Sequence, residues 1–444
     1  MAKRHVIVGG GTAGHNAINA IRQEEREPAE IVLVADERPY SRMVLPYYLG
    51  RTIAESHVYT ATPPRLAQLG VKAHLGRRAV GLDPKAGKLT LDDGTVIEYD
   101  DLLVATGSSA VRPKVPGVDG PGIHSFWTLE QVRRVVAEVH AGSHVVMVGA
   151  GFIAFTILNS ILALGARLTI VEIAPRILPR MIDRTGAEVV EGWLRTHGVE
   201  IRAGATLTAV EQVGGRRRLR MKEGGDIDAD VVIMATGIKT NLEWLQGSGV
   251  RVNRGVVVDD HLRSSVSNVY AAGDVAEGRD LITGQPDVHA IEPTAMEHGR
   301  VVGANMAGRD VAYRGSLLMN ILDVCHLDVA SFGRWDDPGA PEADVVVGAR
   351  PERHGYRKLL WRGDRLTGAM IVGRADDVWT TNDVGMLKGL VQSGVPLGAW
   401  KEYLRRNPFD VKRAFVASRT TGRLLPETVL GRPSPPPGIV WATA

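Results

Sequence analysis

The chain has 444 residues, 44% of them apolar and 23% charged, enough for the cores of about three ordinary domains and unlike a collagen or a disordered polymer. Its 53 Lys and Arg against 50 Asp and Glu leave a net charge of +3, which over this length makes no general case for nucleic acid. The one cysteine, Cys325, excludes an intramolecular disulfide, a paired-cysteine redox centre and a cysteine-ligated zinc or iron–sulfur cluster.

The basic start runs into only Val6-Ile7-Val8 before glycines, too short for a signal peptide. No stretch approaches the roughly 20 apolar residues of a membrane span. The expectation is a cytoplasmic protein with no membrane span.

The first element reads as a strand that ends in Gly9-Gly10-Gly11-Thr12-Ala13-Gly14, followed by a helix and a second apolar strand closing on Asp36 and Glu37. The same order returns 140 residues later. There a strand ends in Gly149-Ala150-Gly151-Phe152-Ile153-Ala154, and the next strand, Leu168-Thr169-Ile170-Val171, closes on Glu172. In such a Gly-x-Gly-x-x-Gly turn the first glycine permits the tight bend, the second lets backbone approach a diphosphate, and the third allows close helix–strand packing. The diphosphate then rests on free N–H groups at the helix start. Ala154 in the third place is tolerated. One such match would be a turn after a buried strand; two, each followed by a strand with a terminal acid, point to two dinucleotide sites. The acid accepts a ribose hydroxyl and repels a 2′-phosphate. In the first copy Asp36 and Glu37 are alternatives. In the second, Glu172 argues for NADH over NADPH, with Arg167 and Arg176 flanking it as possible phosphate partners.

An apolar strand precedes Ala-Thr-Gly twice, at Ala105-Thr106-Gly107 and Ala235-Thr236-Gly237, and a further strand enters Ala271-Ala272-Gly273-Asp274. Taken in order, these motifs resemble the FAD-dependent pyridine nucleotide–disulfide oxidoreductase superfamily over residues 4 to about 310. Pro39 to Leu49 is similar to the loop of NADH oxidases, rubredoxin and ferredoxin reductases and the FAD part of assimilatory nitrite reductase. Gly315 to Gly333 is similar to the small C-terminal domain of the rubredoxin reductase and nitrite reductase branch.

The resemblance implies an α/β fold with two Rossmann-like dinucleotide domains, the second inserted in the first, and a small C-terminal α+β domain. The expected parts are 1–112 and 241–312 for FAD, 113–240 for NAD(P)H, 313–425 for the C-terminal domain, and a proline-rich tail over 426–444. Gly9, Gly11, Gly14, Arg42, Ala105, Thr106, Gly107, Gly273 and Asp274 would hold FAD, with Arg112 a further candidate. Gly149, Gly151, Glu172 and Gly237 would hold the nicotinamide cofactor, NADH preferred. Three departures stand out. The redox cysteines of many relatives are absent, Tyr47 stands where many carry a Lys, and Thr156 replaces a Glu near the nicotinamide.

Without a protein nucleophile the flavin carries the chemistry, and the chain supplies position and electrostatics. A helix starting near Pro293, where proline suits the first position, would turn the N–H groups of Thr294 and Ala295 toward the flavin. His289, Glu292 and His298 are metal-ligand types within ten residues, but their spacing matches no standard site, so no metal is expected. Cys325-His326 reads as a buried free cysteine and its neighbour. Arg216-Arg217-Arg218 with Arg220 and Lys222 reads as a solvated hairpin, with docking of an acidic redox protein as the alternative. Trp335, Trp361, Trp379 and Trp400 read as packing. The leading function is transfer of electrons from NADH through flavin to an iron–sulfur or rubredoxin-like protein. The alternatives are an NADH oxidase acting on oxygen and a non-catalytic NADH-binding sensor or assembly subunit. The chain would act as a homodimer or as one subunit of a larger redox complex.

Overall fold

The computed structural model describes residues 2–423, so the proline-rich segment over 426–444 lies outside them. Two parallel sheets of five strands and one antiparallel sheet of five form the frame. The first glycine motif joins β1 (Arg4–Val8) to α1 (Thr12–Glu24), which returns to β2 (Glu30–Ala35). A short helix, α2 (Leu45–Leu49), follows, then β3 (Val71–Leu75) and β4 (Asp101–Val104). Val6, Ile7 and Val8 are buried on both faces, as the unbroken apolar run of a central parallel strand requires.

The chain leaves this unit through β5 (Ser108–Ala110) and enters a second sheet through β6 (Ile123–Ser125). After α3 (Leu129–Glu138), capped by Thr128 and Gln131 in a reciprocal box, the second copy runs as β7 (His144–Val148), α4 (Phe152–Ala163) and β8 (Arg167–Glu172). The strands β9 (Glu200–Ala203) and β10 (Val231–Met234) complete it in the parallel order β9-β8-β7-β10-β6. The return strand β11 (Ile238–Thr240) pairs antiparallel with β5. Two narrow strands thus carry the chain out of the first unit and back.

The first sheet closes only with β12 (Val269–Ala271), giving the order β12-β4-β1-β2-β3, all parallel. Then α5 (Glu292–Met306) packs on α1. The two backbones approach so closely that a β-carbon on Gly299 would lie 2.3 Å from Ala13 O, and one on Gly303 2.4 Å from Ala17 O. The second unit is therefore inserted in the first.

The C-terminal domain is an antiparallel sheet of β13 (Met319–Asp323), β14 (Leu327–Gly333), β15 (Val345–Arg350), β16 (Gly355–Arg362) and β17 (Arg365–Arg374). Its order is β13-β14-β17-β16-β15, and α6 (Val378–Ser393) covers one face. Asn159 of α4 donates to Asp323 O at 3.1 Å and accepts from the Cys325 N–H at 2.9 Å. One apolar core runs through α2, the inserted unit and this sheet. Trp335 and Trp361 are buried in the domain, and Trp400 stacks edge-on against Tyr403.

Candidate functional site

A single cleft of about 1750 Å³ is lined by both glycine loops, both Ala-Thr-Gly turns and the Gly273-Asp274 turn. Of the residues singled out in the sequence, Gly9, Gly11, Asp36, Glu37, Arg42, Ala105, Thr106, Gly107, Gly149, Gly151, Thr156, Glu172, Gly237, Gly273, Asp274 and Ala295 line it. Gly14, Tyr47 and Thr294 do not.

The glycine loops and Ala-Thr-Gly turns prove to be halves of one device. Gly9 and Gly149 have φ of +117° and +100°, and a β-carbon there would lie 2.1 Å from Ala105 O and 2.3 Å from Ala235 O respectively. Each loop is pressed against its own turn. Gly11 and Gly151 are the N-caps of α1 and α4 with no side-chain cap bond, and a β-carbon on either would meet nothing within 4 Å. The free N–H groups of two helix starts therefore open on the cleft, with the macrodipole behind them, which fits one diphosphate each. Gly14 serves from behind: its β-carbon would strike Gly9 O at 2.0 Å.

Val8 pairs with Val34 and Val148 with Val171, so Glu172 corresponds to Ala35, and Asp36 to Ile173. Glu172 is buried, and its two oxygens accept the Ala150 N–H at 2.6 Å and the Ala174 N–H at 2.7 Å. A carboxylate has about four acceptor sites, so capacity remains for a ribose hydroxyl. Neither flanking arginine competes. Arg167 begins β8, at the far end of the strand from Glu172, and Arg176 donates to Ile182 O and Pro179 O. In the first copy Asp36 is paired with Arg78 at 3.2 Å. Glu37 accepts the Tyr40 hydroxyl at 2.8 Å, and burial raises its carboxyl above the usual range despite that bond.

At the junction of the units, Asp274 accepts the Ser108 hydroxyl at 2.6 Å. The Ser108 carbonyl accepts the Trp127 indole N–H at 2.6 Å and Arg42 at 3.4 Å, and the Arg42 guanidinium lies over the Trp127 ring at 4.8 Å. The Gly273 N–H donates to Nδ1 of His298 at 3.3 Å. Burial, with His289 nearby, pushes His298 down to about 3, so the ring is neutral and can accept. Its Nε2 meets Ser316 Oγ at 3.3 Å.

Several expectations need correcting. Tyr47 is 58% exposed because Leu45 and Leu49, one turn apart on α2, are the residues that enter the core. Met43, Leu45 and Pro46 line the cleft instead. The late helix begins at Glu292, so Pro293 is second. The Ala295 N–H is spent on Ile291 O at 3.1 Å, which leaves only that of Thr294, and Thr294 is buried away from the cleft. Arg112 bonds Val118 O, Asp119 and Ile123 O and lies outside the lining. The Thr156 hydroxyl donates to Ile153 O at 2.7 Å.

His289, Glu292 and His298 do not converge. His289 pairs with Asp280 at 2.9 Å, while Glu292 Oε1 accepts the hydroxyls of Thr12 at 3.2 Å and Ser41 at 3.1 Å. Arg216, Arg218 and Arg220 are matched with Asp230, Asp228 and Glu211 beside them, and Arg217 and Lys222 lie 3.8 Å from Glu138 and Glu223, so each cation of the run has an acidic neighbour. Cys325 sits with His326 in the left-handed turn between β13 and β14; burial pushes its thiol up to about 11, and it is not part of the lining. The sequence reading missed Ser108, which orients Asp274, and, in the lining itself, Trp127 and the wall formed by Leu318 to Ile321. An acid in the first turn of a proline-started helix was the one available signal for Glu292.

The family model for pyridine nucleotide-disulphide oxidoreductases matches residues 3–299. The epsilon subunit of an NADH-dependent phenylglyoxylate dehydrogenase from Aromatoleum evansii is 29% identical over 419 residues, 93% of this chain and 97% of that one. An assimilatory nitrate reductase electron transfer subunit from Bacillus subtilis is 25% identical over 84% of this chain, which spans about half of it (48%). Among solved structures, a putidaredoxin reductase in covalent complex with putidaredoxin has a TM-score of 0.82 at 21% identity, covering 94% of this chain and 100% of that one; this likeness is one of fold.

Proposed function

We propose, on the premise that this chain belongs to the pyridine nucleotide-disulphide oxidoreductase family, that it passes electrons between NADH and an external iron–sulfur or rubredoxin-like protein, as one subunit of a larger redox complex. The chain is an NAD(P)H-dependent flavoprotein oxidoreductase with FAD and NAD(P)H as cofactors. Its particular partner and site residues are our reading. The observation that carries the reading is one cleft joining two uncapped helix starts with no cysteine sulfur in its lining.

Residues 1–112 with 241–312 would hold FAD, 113–240 the nicotinamide nucleotide, and 313–425 the wall beside them. FAD, when bound, takes two electrons together from NADH and can release them one at a time. The N–H groups behind Gly11 and Gly151 would each receive a diphosphate. Glu172 would orient the NADH ribose and, as a buried carboxylate, repel a 2′-phosphate. For the FAD ribose we choose Glu37, which Tyr40 already holds, over Asp36, which Arg78 occupies. Asp274, oriented by Ser108, would accept from the flavin chain. Arg42 is kept in place by Trp127, and Met43, Pro46 and Phe152 would exclude water. The named electron transfer subunit among the relatives supports an external acceptor.

The test is reduction of the purified yellow protein by NADH in stopped flow, then turnover with ferricyanide, oxygen and co-purifying proteins. Rapid bleaching, ferricyanide turnover that survives Cys325→Ser, and an iron–sulfur or rubredoxin-like protein in a pull-down are expected. Bleaching over many minutes favours a sensor, oxygen turnover matching ferricyanide favours an oxidase, and activity lost in Cys325→Ser with FAD intact would overturn the cysteine-free chemistry.

A further inference from the structure

Glu292 is the first residue of α5 and lines the cleft. Three segments distant in the chain meet at its Oε1, since Thr12 of the first glycine loop and Ser41 of the 39–49 loop both donate to it. These bonds fix the carboxylate toward the part of the cleft that the first glycine loop, Arg42 and the Asp274 turn share. Among the described residues no Lys or Arg nitrogen is recorded within ion-pair distance of it. Arg42, which lines the same cleft, is engaged with Trp127 and Ser108 O. The start of a helix carries about half a positive charge, which by itself would favour electrons arriving nearby. Here a whole negative charge stands on that same turn and outweighs it.

We propose that Glu292, held by Thr12 and Ser41, lowers the reduction potential of FAD bound beside the first glycine loop. The inference rests on the proposed FAD site and deepens it by naming a residue that sets the flavin's potential. Glu292 is a tuning residue, and its action is electrostatic: every electron added near an uncompensated carboxylate in a half-enclosed cleft costs more than in water. Thr12 and Ser41 matter because they stop the side chain from swinging out to solvent.

The experiment titrates the FAD-loaded protein against a redox dye of known potential, with flavin absorbance as the readout. Glu292→Gln keeps an oxygen to accept both hydroxyls and removes the charge. It should reach half-reduction at an oxidised-to-reduced dye ratio at least tenfold larger, for a two-electron dye, which corresponds to about 30 mV toward positive potential. Glu292→Ala, which removes charge and bonds together, should move the same way and is decisive if the Gln variant takes up no FAD. An unchanged or more negative potential overturns the inference. Because the dye needs no NADH, failure of the wild type to respond to NADH would sink the proposed function separately, with the Glu292 comparison still readable.

Discussion

The two glycine units share a strand order and a helix-start geometry, yet they answer two problems differently. In the first unit the acids lie one and two residues beyond the strand position that Glu172 occupies in the second, where Ala35 stands instead. Glu172 is therefore buried and tied to its own glycine loop through the Ala150 N–H, whereas Asp36 and Glu37 are held by neighbours outside the motif, Arg78 and Tyr40. The second difference is at the third glycine. Gly14 touches Gly9 O so closely that no side chain fits, while Ala154 is accommodated in full burial. A shared fingerprint thus fixes where a nucleotide's diphosphate can rest. The rest of each site comes from what is packed around it.

The comparison is broken most severely by blocking one loop at a time. Gly11→Val adds a side chain into open cleft, so the protein should fold but lose FAD by roughly 100-fold or more, about 3 kcal/mol. Gly151→Val should keep FAD and lose reduction by NADH instead. Flavin absorbance and NADH-driven bleaching separate the two, and a Gly11→Val protein with full FAD would reverse our assignment of the loops. Gly14→Ala should cost about 3 kcal/mol of stability through overpacking against Gly9 O. Ala154→Gly should cost only about 1 kcal/mol, the helix penalty of glycine; equal losses in chemical denaturation would erase the contrast.

Smaller effects sharpen it. Removing the Glu172 carboxylate as Glu172→Gln should weaken NADH about tenfold, the low end of one hydrogen bond to a charged group, and narrow the preference over NADPH. A wild type that already prefers NADPH would contradict the reading. A further effect, visible only as pH changes, concerns His298 beneath the Gly273 turn. Its pKa is held at about 3 in the fold against about 6.5 when unfolded. Between those values the unfolded chain binds a proton that the native chain does not, so this contribution to stability is complete above about pH 6.5 and is lost as pH falls toward 3. The slope is at most about 1.4 kcal/mol per pH unit, and His298→Gln should flatten it in melts taken across that window.

Much of this was legible in the chain. The strand-and-glycine repeats, the Ala-Thr-Gly turns and the Gly273-Asp274 turn are local, and steric demands such as those at Gly9 and Gly14 leave their mark in residue identity. What escaped were meetings between distant residues: Glu292 with Thr12 and Ser41, 280 and 251 positions apart, and Trp127 with Ser108 and Arg42. Tyr47 was misjudged because a five-residue helix turns it to solvent, and no periodicity can be read from so few positions. The helix start near Pro293 was off by one residue, which was enough to change which N–H groups are free.

The seating of α5 on α1 has a consequence for how the protein is made. Every strand of the inserted sheet lies between residues 123 and 234, so all the strands of that sheet have left the ribosome with its own stretch of chain. The first unit begins earlier but still lacks β12 and the helix whose Gly299 and Gly303 press on Ala13 and Ala17. At roughly 5–20 residues per second of synthesis, the first glycine loop waits on the order of ten seconds or more for its last wall. The part of the molecule that starts first is therefore finished second, and a nascent chain completes the sheet behind its second glycine loop before the first loop has its last wall.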